Sequence, residues 1–283
     1  MDENLARTSN RLNACLETWQ SWGAGLSGKP VVLEKLGGLS NASYLITDDH
    51  VKLVLRLNYA GSEFGVDRSL EWAILGSLGG TGFAPIAVHR DEDLDFLVTQ
   101  YVRGSHIREH EINHYLRDIG RLFSQIHSSA VAVAVSLDPM DQVRRYYRQL
   151  AEPVDPAISW CYNALDAWGL IPVSDEYLCH NDLLLENIIK SDTGLVAVDW
   201  EYACLGDAAF DLAVFIETYQ LDQPAQQLLL DTYRGPTCRA RIGTYRLIYR
   251  LIEILWWMLR APEHPTLHEK IAWLQKRIRA ATQ

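Results

Sequence analysis

The segment from 178 to 201 constrains the fold more than any other part of this 283-residue chain. Apolar residues lead into a polar loop that carries Asp182 and Asn187, and two short apolar runs follow, joined by a Ser-Asp-Thr-Gly turn. This pattern predicts a β-hairpin, with Asn187 at the start of its first strand and Asp199 at the end of its second. Because the outer ends of a hairpin lie side by side, we expect Asp182, Asn187 and Asp199 to share one small space.

These three side chains suggest a metal-assisted reaction. Carboxylate and amide oxygens suit Mg²⁺, which takes few protein ligands and leaves room for phosphates and water, so we predict Asn187 and Asp199 as metal ligands. Asp182 would then be free to accept a proton from an attacking hydroxyl. A base, an Asn and an Asp in this order are the parts of a kinase catalytic loop. The alternative is a solvated loop whose acids face water.

Two motifs carry a resemblance to a known family. They are His-Asn-Asp-Leu-Leu-Leu-Glu-Asn, from His180, and Asp-Trp-Glu-Tyr-Ala, from Asp199. Both resemble the choline/ethanolamine kinase branch of the aminoglycoside phosphotransferase superfamily, where bacterial thiamine kinases also lie. The resemblance implies an α+β, protein-kinase-like, two-lobed fold, with a small antiparallel-sheet lobe over 1–102 and a larger, mostly helical lobe over 103–283. It also implies ATP and Mg²⁺ as cofactors and a small cationic alcohol as substrate: choline, ethanolamine or thiamine.

The first lobe is predicted to bind the nucleotide. A Gly-Gly-Leu-Ser-Asn run between two strands resembles the loop that opens the choline kinase nucleotide site, which implies contacts from Ser40 and Asn41; an ordinary hairpin turn is the alternative. Arg56, on a later strand, would bind ATP phosphates, and Glu71, on a helix predicted over 62–78, would pair with it. The alternative for both residues is an exposed position.

Two further strands are predicted over 83–88 and 94–100, and the predicted hinge between the lobes follows them. There we expect backbone groups from Gln100 to Val102 to contact adenine, as at the usual site of kinase-like folds. Within the second lobe, His180 and Asn181 would brace the catalytic loop. The resemblance implies that Asp211 binds the backbone N–H groups of the same loop.

Substrate contacts are predicted from four residues. Glu201 would contact metal-bound water or the substrate cation. An apolar helix over 245–259 carries Glu253, Trp256 and Trp257, and choline kinases build part of a cation cage from C-terminal aromatic residues. Because consecutive helical residues point about 100° apart, at most one of the two tryptophans faces the site. The alternative is that both tryptophans belong to the core.

Composition excludes several classes of function. The net charge of −10 leaves no basic face for nucleic acid; it suits a cationic substrate, or serves solubility alone. The five scattered cysteines form no Cys-x-x-Cys pair, so neither zinc nor disulfides are expected. The same scattered cysteines indicate a reducing cytoplasm. No signal peptide or membrane-spanning segment is predicted. Two other functions stay open, an aminoglycoside phosphotransferase and a catalytically silent binding protein, and oligomeric state stays undetermined.

Overall fold

The computed structural model describes residues 3–37, 41–59, 66–168, 175–236 and 239–281. An N-terminal helix precedes a five-stranded antiparallel sheet, whose strand order is β1-β2-β3-β5-β4. The bounds in this part are α1 Glu3–Glu17, β1 Val31–Lys35, β2 Ala42–Thr47, β3 Lys52–Leu57, α2 Arg68–Leu78, β4 Ala87–Arg90 and β5 Phe96–Gln100, with a 3₁₀ turn at Trp19–Ser21.

The rest of the described chain is mostly helical, and two small sheets hold its functional loops. One sheet pairs β6 with β8 and β8 with β9, and the other pairs β7 with β10, all antiparallel. The bounds are β6 Ser105–His106, α3 Ile112–His127, α4 Pro139–Tyr147, α5 Pro156–Trp168, β7 Tyr177–Cys179, β8 Ile188–Ser191, β9 Gly194–Ala197, β10 Cys204–Gly206, α6 Ala208–Thr218, α7 Gln223–Thr232, α8 Arg239–Arg260 and α9 Leu267–Ala281, with 3₁₀ turns at Glu109–Glu111 and Leu185–Asn187. The predicted α+β class, with an antiparallel N-terminal sheet and a helical C-terminal part, is confirmed.

The alternation of side chains between the two faces of β3 determines the direction in which the buried Arg56 points. Leu53, Leu55 and Leu57 are almost fully buried and belong to a hydrophobic cluster that includes Leu16 of α1. Successive side chains of a strand point to opposite faces, so Arg56 projects from the other face. That face lies toward α2 and the catalytic hairpin, where Arg56 finds its partners.

A second hydrophobic cluster joins α2 to the helical part of the molecule. Ile74, Leu75 and Leu78 of α2 pack in the same cluster as the helices from α3 to α9. Leu97 of β5 belongs to it as well. The sheet and the helical part are therefore tied together through α2, and the lobe boundary at residue 102 stays a prediction.

Three predicted elements have different bounds in the structure. The helix predicted over 62–78 begins at Arg68, because Asp67 caps it by accepting from the amides of residues 69 and 70; residues 60–65 lie outside the described ranges. The strand predicted from 83 begins at residue 87, after Pro85, which has no amide to donate. Helix α8 begins six residues before the predicted 245, because burial of Ile242 outweighs the helix-weakening Gly243. None of the described helices has the length and hydropathy needed to span a bilayer.

Candidate active site

The hairpin β8–β9 brings Asp182 and Asn187 together. Its strands pair from Ile188 with Ala197, and the amide of Val198 donates to the carbonyl of Asn187 at 2.9 Å. The Asn187 Nδ2 donates to the main-chain carbonyl of Asp182 at 2.8 Å and to its Oδ2 at 3.2 Å. The outer end of the hairpin therefore holds the loop carboxylate in place.

Asp199 lies at the same end of the hairpin and contacts the sheet. Arg56 Nη1 donates to Asp199 Oδ1 at 2.8 Å, and its Nη2 donates to Glu71 Oε2 at 2.5 Å. The Arg56 Nε donates to Asn58 Oδ1 at 3.1 Å. Only 8% of the Arg56 side chain is exposed, so its guanidinium is held in one orientation by three partners. The predicted pair between Arg56 and Glu71 is present.

Asp211, on α6, braces the backbone of the catalytic loop. Its Oδ2 accepts from the amide of His180 at 2.8 Å, and its Oδ1 accepts from the amide of Asn181 at 2.6 Å. The Nε2 of His127 lies 3.0 Å from Asp211 Oδ2. A single buried carboxylate thus ties two consecutive loop amides to helices α3 and α6.

The loop residues that precede Asp182 are held in unusual conformations. Asn181 adopts φ +64°, the left-handed region that Asn tolerates better than most residues, and its Nδ2 donates to the carbonyl of Tyr202 at 2.9 Å. His180 Nε2 lies 3.0 Å from the carbonyl of Val198, so Nε2 carries the proton. Burial lowers the pKa of His180, which keeps the ring neutral. Among the described residues, its buried Nδ1 has no hydrogen-bond partner.

Each carboxylate of this site disfavours ionisation of the others. Burial, together with the charges of Asp199, Glu186 and Glu201, raises the pKa of Asp182 well above its usual value. Burial also raises the pKa of Asp199 to about 6, against the opposing effect of Arg56. Two partly enclosed carboxylates and one amide oxygen form a donor set that suits a hard divalent cation. Asn187 and Asp199 could hold such a cation, and Asp199 adopts φ +62°, as functional residues sometimes do.

Glu201 is enclosed by residues of the first lobe. Its Oε2 accepts from Asn41 Nδ2 at 2.7 Å and forms an ion pair with Arg68 Nη1 at 2.7 Å. Arg68 also contacts Glu71, at 3.1 Å, and donates to Asn41 Oδ1 at 2.9 Å. No role for Arg68 is predicted from the sequence. Its position three residues before Glu71, within reach on one helix face, is the signal that could have identified it.

Glu253 and the two tryptophans of α8 have other partners. The Glu253 carboxylate pairs with Arg250, at 2.5 Å, and with Lys270. The Trp257 ring packs on His264, with centroids 4.3 Å apart, and the Arg260 guanidinium lies 5.2 Å from the centroid of Trp256. Their contact with a substrate stays a prediction.

The charge of Asp182 acts on three tyrosines for which the sequence predicted no role. Burial raises the pKa of Tyr146, Tyr202 and Tyr249, and in each case the negative charge of Asp182 adds to the effect. Tyr249 lies on α8 seven residues before Trp256, so the two share a helix face. Tyr146 comes from α4 and Tyr202 from the segment after Asp199, so no local sequence pattern links them.

Three nucleotide-binding predictions remain, for Ser40, Gln100 and Val102. Ser40 lies outside the described residues. The amide of Gln100 donates to the carbonyl of Ile86 at 2.9 Å within the sheet, so it is already engaged. Val102 follows β5 and is half-buried.

Comparison with known proteins places this architecture in a family. A model described as the phosphotransferase enzyme family matches residues 33–246. Protein LicA of Haemophilus influenzae is 24% identical over 235 residues, which are 79% of this chain and 69% of that protein. The crystal structure of choline kinase LicA from Streptococcus pneumoniae has a TM-score of 0.76 at 21% identity, covering 88% of this chain and 94% of that chain. A crystal structure of LicA in complex with AMP has a TM-score of 0.78 at 22% identity, covering 95% and 98%.

Proposed function

Because this chain belongs to the phosphotransferase enzyme family, we propose that it transfers the γ-phosphoryl group of ATP to the hydroxyl of a small cationic alcohol. Choline, ethanolamine and thiamine are the candidate acceptors. The observation that carries the proposal is the meeting of Asp182, Asn187 and Asp199 at one end of a hairpin, next to the buried pair of Arg56 and Glu71.

Each residue of this cluster has one role in the proposed reaction. Asp182 accepts the proton of the acceptor hydroxyl, and its raised pKa suits a group that must take up a proton near neutral pH. Asn187 and Asp199 hold Mg²⁺, which when bound neutralises the charge that develops on the phosphates. Arg56 directs its guanidinium at the phosphates while Glu71 keeps it in place.

Nucleotide binding draws support from the likeness to LicA, whose structure contains AMP. In the proposed complex, adenine lies against the segment that ends β5, where Val102 is the predicted backbone contact. The phosphates then point along β3 toward Arg56. Asp211 keeps the catalytic loop in the conformation that this arrangement requires, because it accepts from the consecutive amides of His180 and Asn181.

The acceptor alcohol lies on the other side of Asp182, among the tyrosines. Aromatic rings attract cations through their electron-rich faces. Tyr202 and Tyr249, which are half-buried and whose pKa the charge of Asp182 helps to raise, supply such rings. Trp256, on the Tyr249 face of α8, extends this wall. The likeness to a choline kinase supports an acceptor that combines a primary alcohol with a positive charge.

An assay of ADP release tests the function. Purified protein with Mg-ATP is offered choline, ethanolamine, thiamine, kanamycin or no acceptor. Turnover with one of the first three supports the proposal and names the acceptor. Turnover with kanamycin alone would make the chain an antibiotic-modifying enzyme, and nucleotide binding without turnover of any acceptor would favour the silent binding protein.

A further inference from the structure

We propose that Arg68 is a positioning residue that fastens Asn41 to the strand end carrying Asp199 and Glu201, and so sets the affinity for the nucleotide. The proposal rests on the proposed function for the identity of the ligand. It gives Glu201 a role different from the predicted contact with substrate, namely that of an anchor between the two parts of the molecule.

The contacts of Arg68 form a closed triangle. Its Nη1 pairs with Glu201 Oε2 at 2.7 Å, and its Nη2 donates to Asn41 Oδ1 at 2.9 Å. Asn41 Nδ2 completes the triangle by donating to the same Glu201 oxygen at 2.7 Å. Each of the three side chains therefore holds the other two, and the Asn41 amide has both its oxygen and its nitrogen engaged.

Burial makes this triangle strong. The exposed fraction of the side chain is 12% for Arg68 and 4% for Glu201, and Asn41 as a residue is 8% exposed. Hydrogen bonds and ion pairs are screened less when they are removed from water, and breaking a buried pair leaves a charge without compensation. Loss of Arg68 therefore leaves Glu201 and Asn41 without a buried partner that water cannot replace.

The start of α2 aims Arg68 at the site. Asp67 caps the helix through the amides of Ser69 and Leu70, which fixes the first turn from which Arg68 projects. Nearly two helical turns later, Ile74 and Leu75 belong to the buried face that packs into the larger hydrophobic cluster. The guanidinium is thus held by a rigid element, whereas Asn41 belongs to the chain just before β2.

The charge of the site depends on Arg68 as well. Among the five side chains joined by the ion pairs of Arg56 and Arg68, the two guanidinium groups contribute +2 and the carboxylates of Glu71, Asp199 and Glu201 contribute −3, a net charge of −1 when all are ionised. Without Arg68 the net charge becomes −2, next to the place where the nucleotide phosphates bind. Loss of Arg68 is expected to weaken nucleotide binding through both electrostatic repulsion and the release of Asn41.

The first test measures ADP binding by calorimetry, with a chelator present so that no divalent metal contributes. We expect Arg68→Met to raise the Kd for ADP about tenfold or more, since a buried partner is lost. The double variant R68M/E201Q is expected to recover part of this loss, because it no longer leaves the Glu201 carboxylate unpaired. Arg121→Met, which removes an exposed arginine paired with Asp118 on α3, is the matched control and leaves the Kd unchanged.

Steady-state kinetics then separate positioning from chemistry. Arg68→Met raises the KM for ATP by a similar factor, changes kcat less than about threefold, and leaves the acceptor KM near that of the wild type. Arg68→Lys gives an intermediate increase, because an ammonium cannot reach Glu201, Glu71 and Asn41 together; it decides the question if R68M does not fold.

Several results would overturn the proposal. An unchanged Kd for ADP in Arg68→Met or Arg68→Lys would show that the triangle does not set nucleotide affinity. A change confined to the acceptor KM would place Arg68 and Glu201 at the substrate instead. The ADP measurement needs no turnover, so it decides the role of Arg68 even if the acceptor panel fails.

Discussion

At the scale of single residues, the environment of Asp182 suits the proposed reaction but lowers the free energy of unfolding. Its carboxylate is surrounded by other acids and partly removed from water, so its pKa in the folded protein is raised above that in an unfolded chain. Ionisation of Asp182 therefore opposes folding. Residues of active sites commonly lower the stability of the folded state in this way.

We expect Asp182→Asn to stabilise the protein in the absence of metal and nucleotide. The cost of ionised Asp182 is fully present above its folded-state pKa and disappears below its unfolded-state pKa. The gain in the free energy of unfolding should therefore be larger at about pH 8 than at about pH 5. Urea unfolding followed by circular dichroism at both pH values measures it.

Asp192→Asn is the matched control for that comparison. Asp192 lies exposed in the turn between β8 and β9, so the same chemical change is made on the same hairpin, away from the other acids. Little change in its unfolding free energy is expected at either pH. A stabilisation of equal size in both variants would mean that overall negative charge, and not the environment of Asp182, is responsible.

At the scale of secondary-structure elements, helix α6 supports the catalytic loop through one side chain. Replacing Asp211 by Asn removes the charge from the hydrogen bonds to two loop amides and leaves only one oxygen to accept them. Hydrogen bonds to charged groups contribute about 1.5–3 kcal/mol each. We expect Asp211→Asn to lower the free energy of unfolding by an amount of that order. We also expect kcat to fall by a larger factor than the factor by which the KM for ATP changes.

The same substitution at Asp222 provides the comparison. Asp222 is exposed and caps α7 by accepting from the amide of Ala225 at 2.9 Å, a role that Asn fills equally well. Asp222→Asn should leave both unfolding and kinetics near those of the wild type. If Asp211→Asn matched it in both measurements, the bracing role of α6 would have no support.

Local patterns predicted the elements that hold the catalytic residues. The hairpin β8–β9 follows from two apolar runs and a turn, and the cap at Asp207 of α6 follows from its residue type. The triangle of Arg68, Asn41 and Glu201 could not be predicted in this way. Asn41 and Glu201 are 160 residues apart, and only packing of α2 between the sheet and the helices brings them into contact.

The substrate side was the hardest part to predict. The sequence favoured Glu253, Trp256 and Trp257 because residue types on one helix are easy to recognise. The tyrosines near Asp182 come from three separate segments, so their proximity depends on how α4 and α8 pack. Glu253 forms an ion pair with Lys270 of α9, and no pattern within α8 could indicate this partner.

At the scale of the whole molecule, the proposed nucleotide site lies where the sheet meets the helical part. Arg56 of β3 and Asp199, beyond β9, come from the two parts and are already in contact at 2.8 Å. A ligand that binds across this junction stabilises the folded state, and metal adds to that effect only if Asp199 and Asn187 hold it.

We expect a non-hydrolysable ATP analogue to raise the melting temperature more with Mg²⁺ than with a chelator. A ligand at 100 times its Kd adds about 2.7 kcal/mol to the free energy of unfolding. Asp199→Asn should remove most of the difference between the two conditions while Asp192→Asn preserves it. An equal shift with metal and with chelator in the wild type would contradict the metal assignment.

The most direct test concerns Asp182 as the base in a phosphoryl transfer to a small cationic alcohol. Mass spectrometry of the phosphorylated product, with choline, ethanolamine and thiamine as acceptors, compares the wild type, Asp182→Asn and Asp192→Asn. We predict a phosphorylated product from one acceptor, made at similar rates by the wild type and Asp192→Asn and about 10²–10⁴-fold more slowly by Asp182→Asn. Product formation by Asp182→Asn at the wild-type rate, or no product from any of the three acceptors, would contradict the account.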